Sequence, residues 1–130
     1  MNHFDPAIYG PVFGELLAID RRRRLDEGTP DVGVRKKLTA LSAESAFAHA
    51  TVVDQDQAEC CLAAVWLLHD YLDESHAISQ TIGTPSGSFW HGILHRREGD
   101  FPNSKYWFRQ IGRHPALHAI GQRAIALTAV

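Results

Sequence analysis

Hydrophobic residues along the first half of the chain recur at the spacing of amphipathic α-helices. Val12, Leu16 and Leu17 fall close to one face of a helix that we expect from about Val12 to Arg24. The segment EGTPD at positions 27–31 contains the glycine and proline typical of a break. A second helix is predicted from about 33 to 49, because its apolar residues return with a period near 3.6.

A third and longer helix is predicted from about Gln57 to Thr81. Its first half, ECCLAAVWLL, is apolar on every face, which is typical of a central, buried element. Either Asp54 or Asp56 can cap its N-terminus. The glycines and proline at positions 83–87 should end it.

Three shorter helices complete the predicted order. Ser86 or Ser88 can cap a fourth helix, and the later breaks at Gly99 and at His114-Pro115 separate the last two. The expected bounds are about 89–98, 103–112 and 115–128. The pattern therefore predicts an all-α fold with five to six helices in one domain, residues 1–130, arranged as helical hairpins.

Two segments resemble one another at an offset of 29 residues, which places Leu72 over Phe101 and Ser75 over Ser104. They are LLHDYLDESHAIS and HRREGDFPNSKYWF. The stretch GDFPNSKYWFRQIG is similar to the helix-turn-helix units of tetratricopeptide and Sel1-type repeats. That resemblance implies tetratricopeptide-like local packing, in two copies at most and with a period shorter than usual.

A longer stretch resembles one family as a whole. The segments GSFWHGILHRREGDF, NSKYWFRQIGRHP and DYLDESHAISQ look like those of a family of uncharacterised bacterial and fungal proteins. The resemblance covers roughly residues 58–115. It implies a shared helical fold and carries over no activity.

Charge and composition restrict the possible binding partners more than they indicate a type of reaction. The formal net charge is −2, so the chain as a whole has no electrostatic attraction to nucleic acid or to an acidic membrane. The basic run Arg21–Arg24 is partly balanced by Asp20, Asp26 and Glu27. We therefore expect neither nucleic acid nor a membrane as partner, and a small molecule or another protein instead.

The cysteines and the N-terminus suggest a reducing compartment. Cys60 and Cys61 are adjacent, and a disulfide between neighbours on a helix is strained, so both read as small apolar residues. No apolar run reaches membrane-spanning length, and MNHFDPAIYG lacks the features of a signal peptide. A cytoplasmic location is the expectation.

Two sets of side chains have the spacing of metal ligands. The first set is His69, Asp73 and His76, and the second is His91, His95 and Glu98. The residues of each set stand at i, i+4 and i+7, which places them on one helical face. A short turn between the helices would bring the two faces level, with His76 opposite His95 and Asp73 opposite Glu98. Imidazole and carboxylate ligands suit a divalent Zn, Fe or Mn ion. The predicted metal ligands are His69, Asp73, His76, His91, His95 and Glu98.

Other enzymatic readings are weaker. HGILH has glycine where the zinc proteases HExxH carry their glutamate, so that mechanism is rejected. LLHDYLDESH is similar to a segment of the HD-type phosphohydrolases, with His49 as the earlier histidine and His69-Asp70 as the pair. The glycine that should follow the pair is missing, and Asp73 and Asp100 lie too near to serve as the last ligand.

The same region also suggests a binding pocket without metal. Aromatic side chains alternate there with histidines and arginines, which could line a cleft and hold an anion. The candidate ligand-binding residues are Trp66, His69, Trp90, His91, Arg96, Arg97, Tyr106 and Arg109. Simple core packing with hydrogen-bonded polar side chains competes with both readings. The function expected first is a small-molecule or protein-binding helical module, and the alternative is a metal-dependent, hydrolase-like enzyme.

Overall fold

The computed structural model describes residues 4–22 and 24–129, and all regular structure in these two ranges is helical. The all-α prediction is confirmed, but the number of helices is larger than expected because two of the predicted helices are each divided into two. Within these ranges, eight α-helices run in the order α1 Pro11–Leu17, α2 Arg35–Thr39, α3 Ala43–Ala46, α4 Gln55–Leu68, α5 Leu72–Ser79, α6 Pro85–Glu98, α7 Phe101–Phe108 and α8 Pro115–Thr128.

The first two predicted helices are shorter than the pattern indicated. α1 ends at Leu17, and an irregular segment follows in which Asp20 binds the backbone and side chain of Arg22. The second predicted helix divides into α2 and α3. Ser42 and Ser45 form a reciprocal capping box that starts α3 anew, since each side chain satisfies a backbone N–H of the other.

The long central helix is also interrupted. α4 begins at its cap Asp54, ends at Leu68, and is followed by a sharp bend before α5 begins at Leu72. Asp70 in the bend has φ 69°, a left-handed conformation that stops an α-helix. The prediction of one helix over 57–81 is therefore wrong.

α4–α5 and α6–α7 form two hairpins of equal dimensions. Each pairs a helix of 14 residues with one of 8. The Ser75 hydroxyl donates to the Ala63 carbonyl at 2.8 Å, and the Ser104 hydroxyl donates to the Gly92 carbonyl at 2.7 Å. The same buried hydrogen bond thus joins the two helices of each hairpin, at the offset of 29 residues seen in the sequence.

The hydrophobic core joins α1 and the loop segments to the first hairpin. Phe13 and Leu16 of α1 pack against Leu38 of α2 and Val65 of α4, all four almost fully buried. α6 then packs against α4, α5 and α7. Its N-cap is Thr84, rather than Ser86 or Ser88, and it begins at Pro85.

α8 has the predicted bounds but packs differently from the other long helices. None of its residues is buried, and Ile125 and Leu127 are each 70% exposed. No helix in the ranges 4–22 and 24–129 is long and apolar enough to cross a membrane. Residues 1–3 of the stretch tested for a signal peptide, and Arg23 of the basic run, lie outside these ranges.

Candidate metal centre

The bend between α4 and α5 holds His69 in the core. Its ring is fully buried, and Nε2 donates a hydrogen bond to the Leu16 carbonyl at 3.1 Å. Nδ1 lies 3.7 Å from an Asp31 carboxylate oxygen. His69 therefore ties α4 to α1 and to the loop before α2.

Asp70 is the centre of a buried ion-pair network. One carboxylate oxygen accepts from Arg21 at 2.7 Å and from the Thr29 backbone N–H at 3.0 Å. The other accepts from Arg97 of α6 at 2.5 Å. Arg97 also donates to the carbonyls of Asp26 and Leu67, which fastens the loop to both hairpins.

This network contradicts the HD-type reading. The carboxylate of Asp70 is engaged by two guanidinium groups and is not available to a metal ion. His69 donates from Nε2 to a carbonyl and turns Nδ1 towards Asp31, so the pair does not present two ligands to one ion. His49 lies at another place, beside Gly10 and the ring of Phe47. The His69-Asp70 pair is structural.

A different set of imidazoles does converge. His76 of α5 and His91 and His95 of α6 each present a ligand nitrogen within 4.8 Å of the other two. The His76 ring meets His91 and His95 edge-on, with centroids 4.7 and 5.4 Å apart. The His91 ring stacks on two others, Trp107 with centroids 3.9 Å apart and His95 with centroids 4.7 Å apart.

The nitrogens of this cluster are set for binding a cation. His95 Nδ1 lies 2.9 Å from a Glu98 carboxylate oxygen, to which it donates, so Nε2 carries the lone pair in the neutral ring. His95 Nε2 and His91 Nδ1 are both buried, and neither has a hydrogen-bond partner among the residues described. Buried polar atoms left unbonded cost about 1–3 kcal/mol each, a penalty that a bound metal ion would remove.

Electrostatics favour the neutral, ligating form of His91. Burial, together with the nearby His95 and His76, lowers the pKa of His91 to about 4. The buried position disfavours the charged ring, and a positive charge on a neighbouring imidazole would disfavour it further. At neutral pH the His91 ring is therefore uncharged and has a free lone pair.

The structure brings together part of the predicted ligand set. His91, His95 and Glu98 share one face of α6, and His76 lies opposite His95 as the spacing indicated. His69 and Asp73 do not join them, because the break at residues 69–71 rotates them away. Asp73 is exposed and lines a shallow groove with Arg35 and Glu74. Glu98 contacts the histidine from outside the cluster.

The predicted ligand-binding residues do not form one cleft. Trp66 packs edge-on against Tyr71, Arg96 lies over Phe101, and Tyr106 stands edge-on to Trp107. Arg109 is exposed at the end of α7. Of the eight residues, Trp90 and Arg97 line the same cavity, and His69 and His91 lie in the two separate environments described above.

One contributor was missed from the sequence. Trp107 covers one face of His91; it belongs to the aromatic residues that the sequence places near the histidines, but it is not among the eight candidate ligand-binding residues. Its position one turn after Ser104 on α7, with Ser104 bonded to Gly92, was the available signal.

Comparison with protein-family models, with curated proteins and with solved structures finds no match for this chain. The resemblances noted in the sequence therefore stay predictions, and function has to be argued from the geometry of the site.

Proposed function

We propose that this protein binds a divalent transition metal through His76, His91 and His95, and that it belongs to the metal-dependent, hydrolase-like enzymes. The observation that carries the proposal is the convergence of three imidazoles whose two innermost rings keep a buried nitrogen without a hydrogen bond. Zn²⁺ fits this donor set best, while Fe and Mn prefer more oxygen ligands.

The geometry needs only a small adjustment to close on an ion. Tetrahedral zinc holds nitrogen ligands at about 2.0–2.1 Å, which separates them by roughly 3.4 Å. The three nitrogens lie within 4.8 Å of one another, a gap that side-chain rotation can close. Glu98 orients His95 through Nδ1, the arrangement by which carboxylates fix the tautomer of metal-bound histidines.

The number of ligands supports an enzymatic role. Three protein ligands leave a fourth position for water, and zinc lowers the pKa of such a water to about 7. A site with four protein ligands would be closed and structural. His76 is half-buried, so the cluster can be reached from the α5 side.

Metal content and affinity test the proposal. Protein purified without a polyhistidine tag should contain a substantial fraction of one equivalent of Zn²⁺. After demetallation it should bind one Co²⁺ with the strong visible absorption of a tetrahedral site. Less than about a tenth of an equivalent of metal, with no stabilisation on adding Zn²⁺, would overturn it.

Variants separate the cluster from other histidines. We expect His76→Gln and His95→Gln to abolish stoichiometric binding and Glu98→Gln to weaken Zn²⁺ binding about 10–100-fold. His118→Gln on exposed α8 is the matched control and should bind as the parent chain does. Hydrolysis of nitrophenyl ester and phosphate substrates, dependent on Zn²⁺ and lost in His95→Gln, tests the enzymatic class separately.

Small-molecule binding, the function expected first from the sequence, is favoured by one specific observation. Trp90 and Arg97 line a large cavity on another face of α6. The residues that line that cavity differ from those of the histidine cluster.

A further inference from the structure

A cleft lies between α1, α4 and α6, on a different face of α6 from the histidine cluster. Trp90, Ile93 and Arg97 stand at i, i+3 and i+7 and point into it, whereas His91 and His95 belong to the neighbouring face. Its volume is about 730 Å³, within the range of small-molecule pockets. The floor is apolar and consists of Leu17, Ala64, Leu67, Leu68, Trp90 and Ile93.

The walls continue this apolar surface towards solvent. Phe4 and Leu25, which also line the cleft, are 56% and 70% exposed. Covering such exposed apolar side chains with an apolar ligand removes them from water and lowers the free energy of the complex. The body of the cleft therefore suits a hydrocarbon chain.

One side of the cleft is strongly basic. Four arginines and one aspartate line it: Arg21, Arg22, Arg24, Arg97 and Asp20. Asp70 lies beneath and is shared by Arg21 and Arg97, which leaves these six side chains a net charge of +2. The whole chain has a formal charge of −2, so this positive charge is local to the cleft.

The arginines differ in how far they are already neutralised. Asp20 pairs with Arg22 at 2.7 Å. Arg24 makes no ion pair and no side-chain hydrogen bond within residues 4–22 and 24–129, and it is exposed at the rim. A guanidinium in that position can bind a carboxylate with two parallel hydrogen bonds.

We propose that this cleft binds a free single-chain amphiphile with an anionic head, of the fatty carboxylate class. The hydrocarbon chain lies along Leu67, Trp90 and Ile93, and the carboxylate pairs with Arg24 at the rim. The proposal is independent of the metal centre, because the two sites use different faces of α6. Charge complementarity favours this ligand over a neutral or cationic chain.

Titration with dodecanoate, kept below its micelle concentration and in the presence of EDTA, tests the proposal. We expect one equivalent to bind, with a change in tryptophan fluorescence because Trp90 lines the floor. Dodecanol should bind at least about fivefold more weakly, and dodecyltrimethylammonium more weakly still, since each lacks the attraction to the rim.

Two variants locate the site. Ala64→Phe fills the floor and should reduce the affinity more than tenfold, and Arg24→Gln should reduce it about fivefold without perturbing the fold, because Arg24 is exposed. Arg113→Gln, an exposed arginine outside the cleft, is the matched control and should bind as the parent does.

Several outcomes would overturn the proposal. One is no saturable binding of dodecanoate. Another is equal affinity for the three head groups, or equal affinity of Arg24→Gln and the parent chain. Sedimentation with anionic phospholipid vesicles in the absence of dodecanoate binding would assign the basic patch to a membrane surface instead. Because EDTA is present throughout, a failure here leaves the zinc experiments unaffected.

Discussion

Asp70 and Gly99 occupy the same position in the two helical hairpins, 29 residues apart, and both have a left-handed backbone, with φ 69° and 82°. The bend between the helices of each hairpin requires this conformation. Glycine adopts it freely, whereas another residue pays about 1–2 kcal/mol. Asp70 is tolerated there because its carboxylate binds Arg21 and Arg97.

Removing the charge of Asp70 should therefore be costly. Asp70→Asn keeps a side chain that tolerates left-handed backbone but leaves two arginines without their counter-ion, one of them buried. We expect the free energy of unfolding to fall by about 3–5 kcal/mol, measured by urea denaturation. Asp73→Asn, an exposed carboxylate just after the same bend, is the control and should stay within about 0.5 kcal/mol of the parent. Similar losses for the two variants would contradict the network's role.

The bend at Gly99 tests the free-energy cost of the left-handed backbone separately from the ion pairs of Asp70. A Cβ at Gly99 would meet no atom within 4 Å, so any effect of Gly99→Ala comes from the left-handed φ alone. We expect a loss of about 1–2 kcal/mol in the free energy of unfolding, and a smaller loss for Gly99→Asn. Gly83→Ala is also in open space and has no positive φ, so it should be neutral or slightly stabilising. Equal effects at the two glycines would refute this account.

The hydrogen bonds of Ser75 and Ser104 give a third prediction. Ser75→Ala and Ser104→Ala each remove one buried hydroxyl that links the two helices of a hairpin. Each should lower the free energy of unfolding by about 1 kcal/mol. Ser79→Ala is the control, since its hydroxyl reaches only a carbonyl of its own helix at 3.5 Å. If Ser79→Ala costs as much, the interhelical bonds are not what the measurement reports.

The repeat explains how much of the fold could be predicted. The offset of Ser75 and Ser104 was visible in the sequence, and it corresponds to real hairpins of matched length. The interruption at Asp70 was not visible, because an aspartate there reads as an ordinary helical residue. The ion pairs with the distant Arg21 and Arg97 hold Asp70 in the left-handed conformation, and such partners lie outside any local window of the sequence.

Only part of the candidate site, like only part of the fold, could be predicted from the sequence. The i, i+4 spacing of His91 and His95 and the antiparallel turn before them were enough to place His76 nearby. The sequence predicts His69 as a ligand because a continuous helix over 57–81 would place it on the face of Asp73 and His76. The eight candidate ligand-binding residues do not form one cleft. The cavity that Trp90 and Arg97 line takes its other arginines from the irregular segment after α1, where the sequence predicts a helix.

The low pKa of His91 gives the last prediction. Its folded-state pKa is about 4, below the 6.5 of a free imidazole, so the unfolded chain takes up a proton between these values and the folded chain does not. The stability contributed by neutral His91 is fully present above pH 6.5 and is lost as the pH falls towards 4. Each pKa unit corresponds to about 1.4 kcal/mol, so the loss is at most about 3–4 kcal/mol.

Urea unfolding of the metal-free protein at several pH values between 7 and 4 measures this loss. In His91→Gln the slope between pH 6.5 and 4 should become smaller, while His76, His95 and Glu98, which also face the site, are unchanged in that variant. His118→Gln on α8 should keep the parent slope. With Zn²⁺ bound the dependence should steepen, because protons and metal compete for the same lone pairs. An unchanged slope in His91→Gln would show that this ring is not the group held neutral by the fold.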